Sequence, residues 1–452
     1  MSPRRFLPEA AILAVSLLAA GCQSGPSGES KRAVNAFIAQ EKYAEAEAYL
    51  DVEKDSGYGK QNMVLFYLDK AAIQQHEGKF KESDQSFDVA EKRMDELYTQ
   101  SITKAGGMLL LNDTTVDYAG EPFERALLNV YRAINYVLLN QPDEALVESR
   151  KVERFLTELG DKIGDRKGIY KDDAFARYLD ALLYADEGKM DDARISLEAS
   201  RAAYAEYAAD YGTPVPRFDF PKDKKSHGEL VLIHYNGVAP RKISKTFQVA
   251  WNNAVVLARQ SDSEDGSSAA KNALAAGFTG NAVTVAYPAI VQDSFTVVGS
   301  EVWVDSRPAA SSVLMEDVTA IASKNLDARM ALVKTRAIAR ATIKFILAQT
   351  AAKAAMKACD QAPGGFVVVQ SCKMAARATA AGIAAASEIA DTRGWSSLPA
   401  QIRMARVKIP PGKHEITVQY KNAAGAVVSQ TTFKDVEIEA KKRTYLATRT
   451  AI

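Results

Sequence analysis

Four short breaks recur between residues 31 and 210, each followed by the same spacing of small and apolar side chains. Gly78-Lys79-Phe80 precedes Ser83, Phe87 and Ala90 at offsets of 5, 9 and 12 from the glycine, and Gly188-Lys189-Met190 precedes Ala193, Leu197 and Ser200 at the same offsets. Glu41-Lys42-Tyr43 leads to Ala46 and Leu50, and Asn140-Gln141-Pro142 leads to Ala145 and Ser149. Ala71, Ala133 and Ala181 lie seven positions before three of the breaks. Spacing of three to four residues puts these side chains on one helix face, and the breaks join such helices into antiparallel pairs.

These offsets resemble the tetratricopeptide repeat (TPR), in which a glycine-marked turn joins two helices packed closely through small residues. The turns here stand 37, 62 and 48 residues apart, and the segment 101–122, with GGMLLLN and YAGEPFE, interrupts the array. A TPR repeat has a uniform period of about 34, so a general bundle of helical hairpins is the competing arrangement. Either one buries a core between neighbours and is expected to leave a concave face for a partner segment. Residues 31–210 are therefore expected to form a TPR-like domain that folds by itself.

The N-terminus reads as an address. Arg4 and Arg5 precede an apolar run from Ala10 to Ala20, broken only by Ser16, and Ala19-Ala20-Gly21-Cys22 follows. The run is shorter than the roughly 20 residues of a spanning helix and fits a signal peptide. The small residues before Cys22 resemble a bacterial lipobox, with Leu18 one place earlier than the pattern prefers. Residues 1–21 are thus expected to be a lipoprotein signal peptide, Cys22 the site of lipid attachment, and 22–30 a flexible tether rich in Gly, Ser and Pro. Without residues 1–21 the chain carries 55 basic and 55 acidic side chains. Near-zero net charge gives no reason to expect nucleic acid as a partner. Anchoring must come from acyl chains in outer-membrane lipid, at about 0.8 kcal/mol per buried CH₂. Gln23 after the cysteine, rather than Asp, points to the outer membrane by resemblance to enterobacterial sorting.

Three prolines and a charge run between residues 211 and 228 mark a boundary. Beyond it the period changes. Glu229–Tyr235 reads as a strand ending at the turn dipeptide Asn236-Gly237, and Phe247–Ala258, Ala282–Ala286 and Ser294–Val304 as strands or short apolar segments. Residues 261–280 read as a loop or short helix. Helical spacing returns from Ser311 to about Ala348, with Arg336, Arg340 and Lys344 as a stripe that is either a solvated face or a contact for anionic groups. Residues 349–392 are Ala-rich and broken at Pro363-Gly364-Gly365, so 311–392 reads as a helical hairpin packed within a domain. Its Lys353, Lys357, Lys373 and Arg377 argue against a hairpin buried in membrane. Cys359 and Cys372 flank the break and are expected to form a disulfide in an oxidising compartment, worth roughly 3 kcal/mol. Their spacing is not C-x-x-C, which argues against a redox pair. Ile402–Val407, His414–Tyr420, Val427–Phe433, Val436–Glu439 and Tyr445–Arg449 alternate as strands of a small antiparallel unit.

Little in the chain points to chemistry. His76, His227, His234 and His414 are scattered and belong to no metal-ligand spacing; no P-loop, nucleophile elbow or dinucleotide fingerprint occurs, and no cofactor or metal is expected. One stretch combines an acid, a base and a tryptophan at a helix-to-strand junction, Asp391-Thr392-Arg393-Gly394-Trp395 through Pro399. With Gly237-Val238-Ala239-Pro240-Arg241-Lys242 and the lipobox, it resembles an uncharacterised family of bacterial outer-membrane lipoproteins with an N-terminal TPR-like region. Those proteins carry similar D-T-R-x-W-x-x-L-P and G-x-A-P-x-K stretches. Gly394, and Asn236 in place of an acid, depart from that pattern. The resemblance implies an envelope lipoprotein and supplies no catalytic residues; Asp391, Arg393 and Trp395 are candidates for partner binding or for a structural junction.

The expected architecture is α+β: the helical array over 31–210, then a module over 225–452 with the hairpin 311–392 and strands within 229–304 and 400–450. The expected function is that of a non-enzymatic, lipid-anchored periplasmic scaffold or adaptor that binds an envelope protein through its helical repeats. The alternative is an envelope hydrolase acting on peptidoglycan or polysaccharide, with Asp391, Arg393 and Glu229 around one cleft. Two carboxylates roughly 5–10 Å apart in an open pocket would favour it.

Overall fold

The computed structural model describes residue 26 and residues 28–103, 116–163, 170, 172–216, 227–259, 282–361, 365–386 and 389–452. The stretch expected to be a signal peptide, Cys22, most of the expected tether, residues 261–280 and Pro363-Gly364 lie outside the described residues.

Eight helices make up the first half: α1 (Gly28–Ala39), α2 (Tyr43–Glu53), α3 (Met63–His76), α4 (Phe80–Thr103), α5 (Pro122–Leu138), α6 (Pro142–Ile163), α7 (Ala174–Asp186) and α8 (Met190–Asp210). They pair across the four breaks read in the sequence, and all four turns have one geometry. Glu41, Gly78, Asn140 and Gly188 take φ of 57°, 86°, 57° and 79°. Each donates its N–H to the carbonyl three residues back, and the next residue donates to the carbonyl five back. This double bond satisfies carbonyls that a helix end leaves open. A Cβ on Gly78 or Gly188 would meet open space, so the left-handed backbone, not crowding, selects glycine there. The small residues are buried as expected, and Ser83 Oγ and Ser200 Oγ donate to the Ala71 and Ala174 carbonyls of the facing helices at 2.7 and 2.8 Å.

The strands form two four-stranded sheets and one ribbon. The first sheet has the order β10 (Arg443–Thr450), β1 (Gly228–Asn236), β7 (Gln401–Ile409), β6 (Val313–Asp317). The second runs β5 (Arg307–Ser311), β4 (Gly299–Val304), β8 (Gly412–Lys421), β9 (Val427–Ile438), and β2 (Arg241–Ala250) pairs only with β3 (Ala282–Val291). All pairings are antiparallel except β1 with β10, which is parallel, Glu229 opposite Arg443. β1 is buried on both faces, which explains its unbroken Leu-Val-Leu-Ile run. Leu230 and Leu232 pack with Val302, Ile416 and Val418 of the second sheet. Val231, Ile233 and Tyr235 point the other way, into a single core with Leu65, Tyr131, Leu179 and the rest of the array.

The chain is α+β in three layers: helices, first sheet, second sheet. In the last three hairpins the first helix is pressed between its second helix and the sheet. Burial covers 10 of 14 residues of α3, 13 of 17 of α5 and 10 of 13 of α7, but only 6 of 21 of α8. An ordinary surface helix buries one stripe; these first helices bury nearly their whole circumference. Their inner face, expected to stay open for a partner, is instead filled by the chain's own sheet, with α3 and α5 on β10 and α7 on β6. The same shared core argues against residues 31–210 folding by themselves, since removing the sheet would expose it to water.

Three local expectations also change. Helical structure does not resume at Ser311: β5 and β6 occupy 307–317, and α10 (Val318–Cys359) starts only where the Asp317 carboxylate accepts the Ala320 N–H at 2.9 Å. Phe247–Ala258 is half strand and half helix, β2 giving way to α9 (Trp251–Arg259). The C-terminal strands do not stay together, since β7 and β10 join the first sheet and β8 and β9 the second. The hairpin itself is present as α10 and α11 (Phe366–Ala386), with Cys359 and Cys372 joined in a disulfide and their Cα atoms 5.9 Å apart. In the basic stripe Arg336 is exposed but Arg340 is buried, between Ala339 and Ala341 of the core formed with Trp251 and Val285.

Candidate functional site

The two stretches behind the family resemblance, far apart in sequence, meet at one cavity of about 670 Å³. Its walls include Lys31, Glu121, Glu124, Lys242, Arg329 and Trp395. They enter from five places in the fold: Lys31 from α1, Glu121 and Glu124 from the start of α5, Lys242 from β2, Arg329 from α10, and Trp395 from the segment before β7.

The segment 390–399 is fixed by carboxylates of the helical array. Trp395 packs its indole 5.7 Å from the Phe87 ring and 5.3 Å from that of Tyr131, while its backbone N–H donates to Glu124 Oε1 at 2.8 Å. Ser396 Oγ and the Ser397 N–H donate to Asp69 at 2.8 Å each, and Tyr58 OH adds a third donor at 2.7 Å. Arg393 grips both oxygens of Asp391, at 2.8 and 3.0 Å, donates to the Val116 carbonyl at 2.7 Å and lies 5.1 Å from the Tyr118 ring. Lys31 Nζ donates to the Thr392 carbonyl at 3.2 Å.

Glu121 and Glu124 form a reciprocal capping box at the start of α5, so the same carboxylates serve helix and cavity. Burial pushes the Glu121 carboxyl up, but Lys242, 2.7 Å away, and Arg329 outweigh it and hold it at about 2. Glu124 moves the other way. Burial raises it and the charge of Glu121 adds to that, against Lys242 and the donors Tyr118 OH and Glu121 N–H. Burial also raises Asp69 despite its donors, while it lowers the Lys31 ammonium. Asp391 is pulled up by burial and, more strongly, down by Arg393, ending below the usual carboxylate range. The cavity wall therefore holds cations beside one carboxylate held low by them and one pushed up by burial.

Both departures from the family pattern have a geometry. An added Cβ at Gly394 would meet Glu124 and Lys242 at 3.5 and 3.6 Å, ordinary contact distances. Asn236 is buried, donates to the Val297 carbonyl and accepts from Thr450 Oγ1, both at 2.8 Å; an acid would lose the first bond.

Asp391, Arg393 and Trp395 are thus brought together with Asp69, Glu121 and Glu124, which the sequence reading did not single out. Asp69 carried a signal, a lone acid in the apolar run Met63–Ile73, and Glu121-Pro-Phe-Glu124 reads as a capping box. Glu229 belongs elsewhere, between Arg406 and Arg443 at 2.8 and 2.6 Å, so the cleft of Asp391, Arg393 and Glu229 expected for a hydrolase is not assembled. His234 is buried, with its Nε2 2.8 Å from Thr450 Oγ1, and burial lowers it to about 3; His414 pairs with Asp305 at 2.7 Å. Among the described residues no group of His, Cys, Asp or Glu could hold a metal ion. Compared with known proteins, the chain matches no family model, no curated protein sequence and no solved structure.

Proposed function

We propose that this chain is a non-enzymatic scaffold or adaptor of the cell envelope, held to the outer membrane by acyl chains on Cys22, whose helical hairpins bind a protein partner. One observation carries the reading. With the inner face of the array covered, each second helix still leaves, among the described side chains, one large branched apolar residue in solvent: Val52 on α2, Val89 on α4, Val147 on α6 and Ile195 on α8. The first two stand 11 residues after the left-handed turn residue and the other two 7 after it, one helical turn apart and so on the same face. Single exposed apolar residues are common, but a regular row with one per hairpin suits an extended partner segment. The tyrosine- and carboxylate-rich junction then serves to fix the array on the sandwich as one platform.

The reading is tested by affinity capture from detergent-solubilised membranes with the intact lipoprotein and a Val89→Glu/Val147→Glu variant. Loss of the captured partner in the variant supports it; an unchanged partner set refutes the outer row as the binding face. In the same strains Cys22→Ser should leave the outer-membrane fraction. Retention there means that acyl chains are not the anchor.

A further inference from the structure

The α10–α11 hairpin leaves the body. The last α10 residue in the body core is Ile346, and from there to Cys359 the helix runs about 20 Å at 1.5 Å per residue. Beyond Ile346 most described side chains of both helices are exposed, several are half-buried, and only Ala352 and Cys359 among them are buried. The disulfide fastens the two helices near the end. At that end Phe366 is 77% exposed and Val367 75%, with Val368 also exposed and Met374 exposed two turns farther along α11.

The charge around these apolar residues is one-sided. Residues 347–377, the projecting part, hold four basic side chains and one acidic one, Asp360, in a chain whose formal net charge is +1. Asp360 is itself paired with Lys373 at 2.5 Å; Lys357 is exposed close to the tip, and Arg377 is exposed about 16 Å farther along α11, against Met356. Among the described residues no helix is long and apolar enough to cross a membrane. Large apolar side chains at a projecting end, ringed by cations, are the composition of a segment that lies in a membrane interface without spanning it.

We propose that the end of the α10–α11 hairpin docks on an anionic phospholipid bilayer, with Phe366, Val367 and Val368 entering the interface and Lys357 and Arg377 meeting phosphate groups. Pro26, at the cavity, is four residues from Cys22, and Arg329 at that cavity is about 45 Å along α10 from Cys359. Taken with the anchoring reading, the two contacts would lay α10 along the membrane plane; the docking itself does not rest on that reading.

The test uses the full mature chain with Cys22→Ser, exported to the periplasm so that the disulfide forms, and therefore free of acyl chains. Co-sedimentation should show binding to vesicles of phosphatidylglycerol mixed with phosphatidylcholine, and little to phosphatidylcholine alone. Phe366→Asp/Val367→Asp and Lys357→Glu/Arg377→Glu should each weaken binding by about tenfold or more, with unchanged far-UV circular dichroism and melting. In a Phe366→Trp variant, brominated lipid should quench fluorescence that the native tryptophans do not lose. Equal binding to both vesicle types, or variants that bind as the parent does, would overturn the proposal. So would a tip whose apolar residues are needed for binding isolated peptidoglycan and not for binding vesicles. None of these outcomes touches the outer row of the array, so the scaffold reading stands or falls separately.

Discussion

Trp395 is 2% exposed with the rings of Phe87 and Tyr131 against it, whereas Phe366 is 77% exposed at the end of the α10–α11 hairpin. Around Trp395 the donors of residues 393–397 meet carboxylates and a carbonyl of the array, and Lys242 and Arg329 close on Glu121. Around Phe366 the neighbouring Val367 and Val368 are exposed as well. The contrast separates two uses of apolar surface. At the junction it holds three layers together, and at the hairpin end it contributes nothing to the fold and remains free for an encounter.

The comparison breaks most readily at Trp395. Trp395→Ala should destabilise the mature chain by about 3–5 kcal/mol, read as a shift in the urea midpoint, because it leaves a large cavity where array and sandwich meet. A loss below about 1 kcal/mol would mean that the junction is not where the layers are joined.

A middle-sized effect tests whether charge burial in the body has a cost. Burial, with Glu153 adding to it against the Ser149 hydroxyl, pushes the Asp180 carboxyl up to about 7. Its folded value lies above the unfolded value of about 4, so its contribution is present below pH 4 and is lost as pH rises through 7. Asp180→Asn should therefore raise stability at pH 8 by about 2 kcal/mol and by much less near pH 4. Parallel stability curves for the two proteins from pH 4 to 8 would rule this out.

The smallest effect belongs to the hairpin end. Phe366→Ser should change the melting free energy by no more than about 0.5 kcal/mol, since the ring packs on nothing that the fold needs. A larger loss would show that the tip is tied to the body.

Much of the local structure was legible. The turn residues 41, 78, 140 and 188, the buried alanines and serines, the disulfide and most C-terminal strands follow from period, turn chemistry and cysteine spacing. What local pattern could not supply was which surfaces would meet. The inner face of the array looks the same in sequence whether a partner or the chain's own sheet covers it. Arg340 shares its four-residue spacing with Arg336 and Lys344, yet β3 and α9 pack beside it and bury it. Of the cavity residues, the 235–242 and 390–399 stretches were noticed, but their acidic counterparts Asp69, Glu121 and Glu124 lie in the other half of the chain. Their meeting depends on three-dimensional packing, not on spacing.

The parallel pair of β1 and β10 also sets an order of events. Its partners Glu229 and Arg443 are 214 residues apart, and β10 is the strand on which α3 and α5 rest. In a chain that emerges N-terminus first, the first helices of the hairpins leave the exit long before the strand that covers them. Until residues 443–450 follow, α3 and α5 lack the edge strand on which they rest. Long-range parallel pairing closes slowly and leaves apolar surface open meanwhile. The nascent array is thus the stage at which a holding chaperone would bind, and its release coincides with arrival of the edge strand β10.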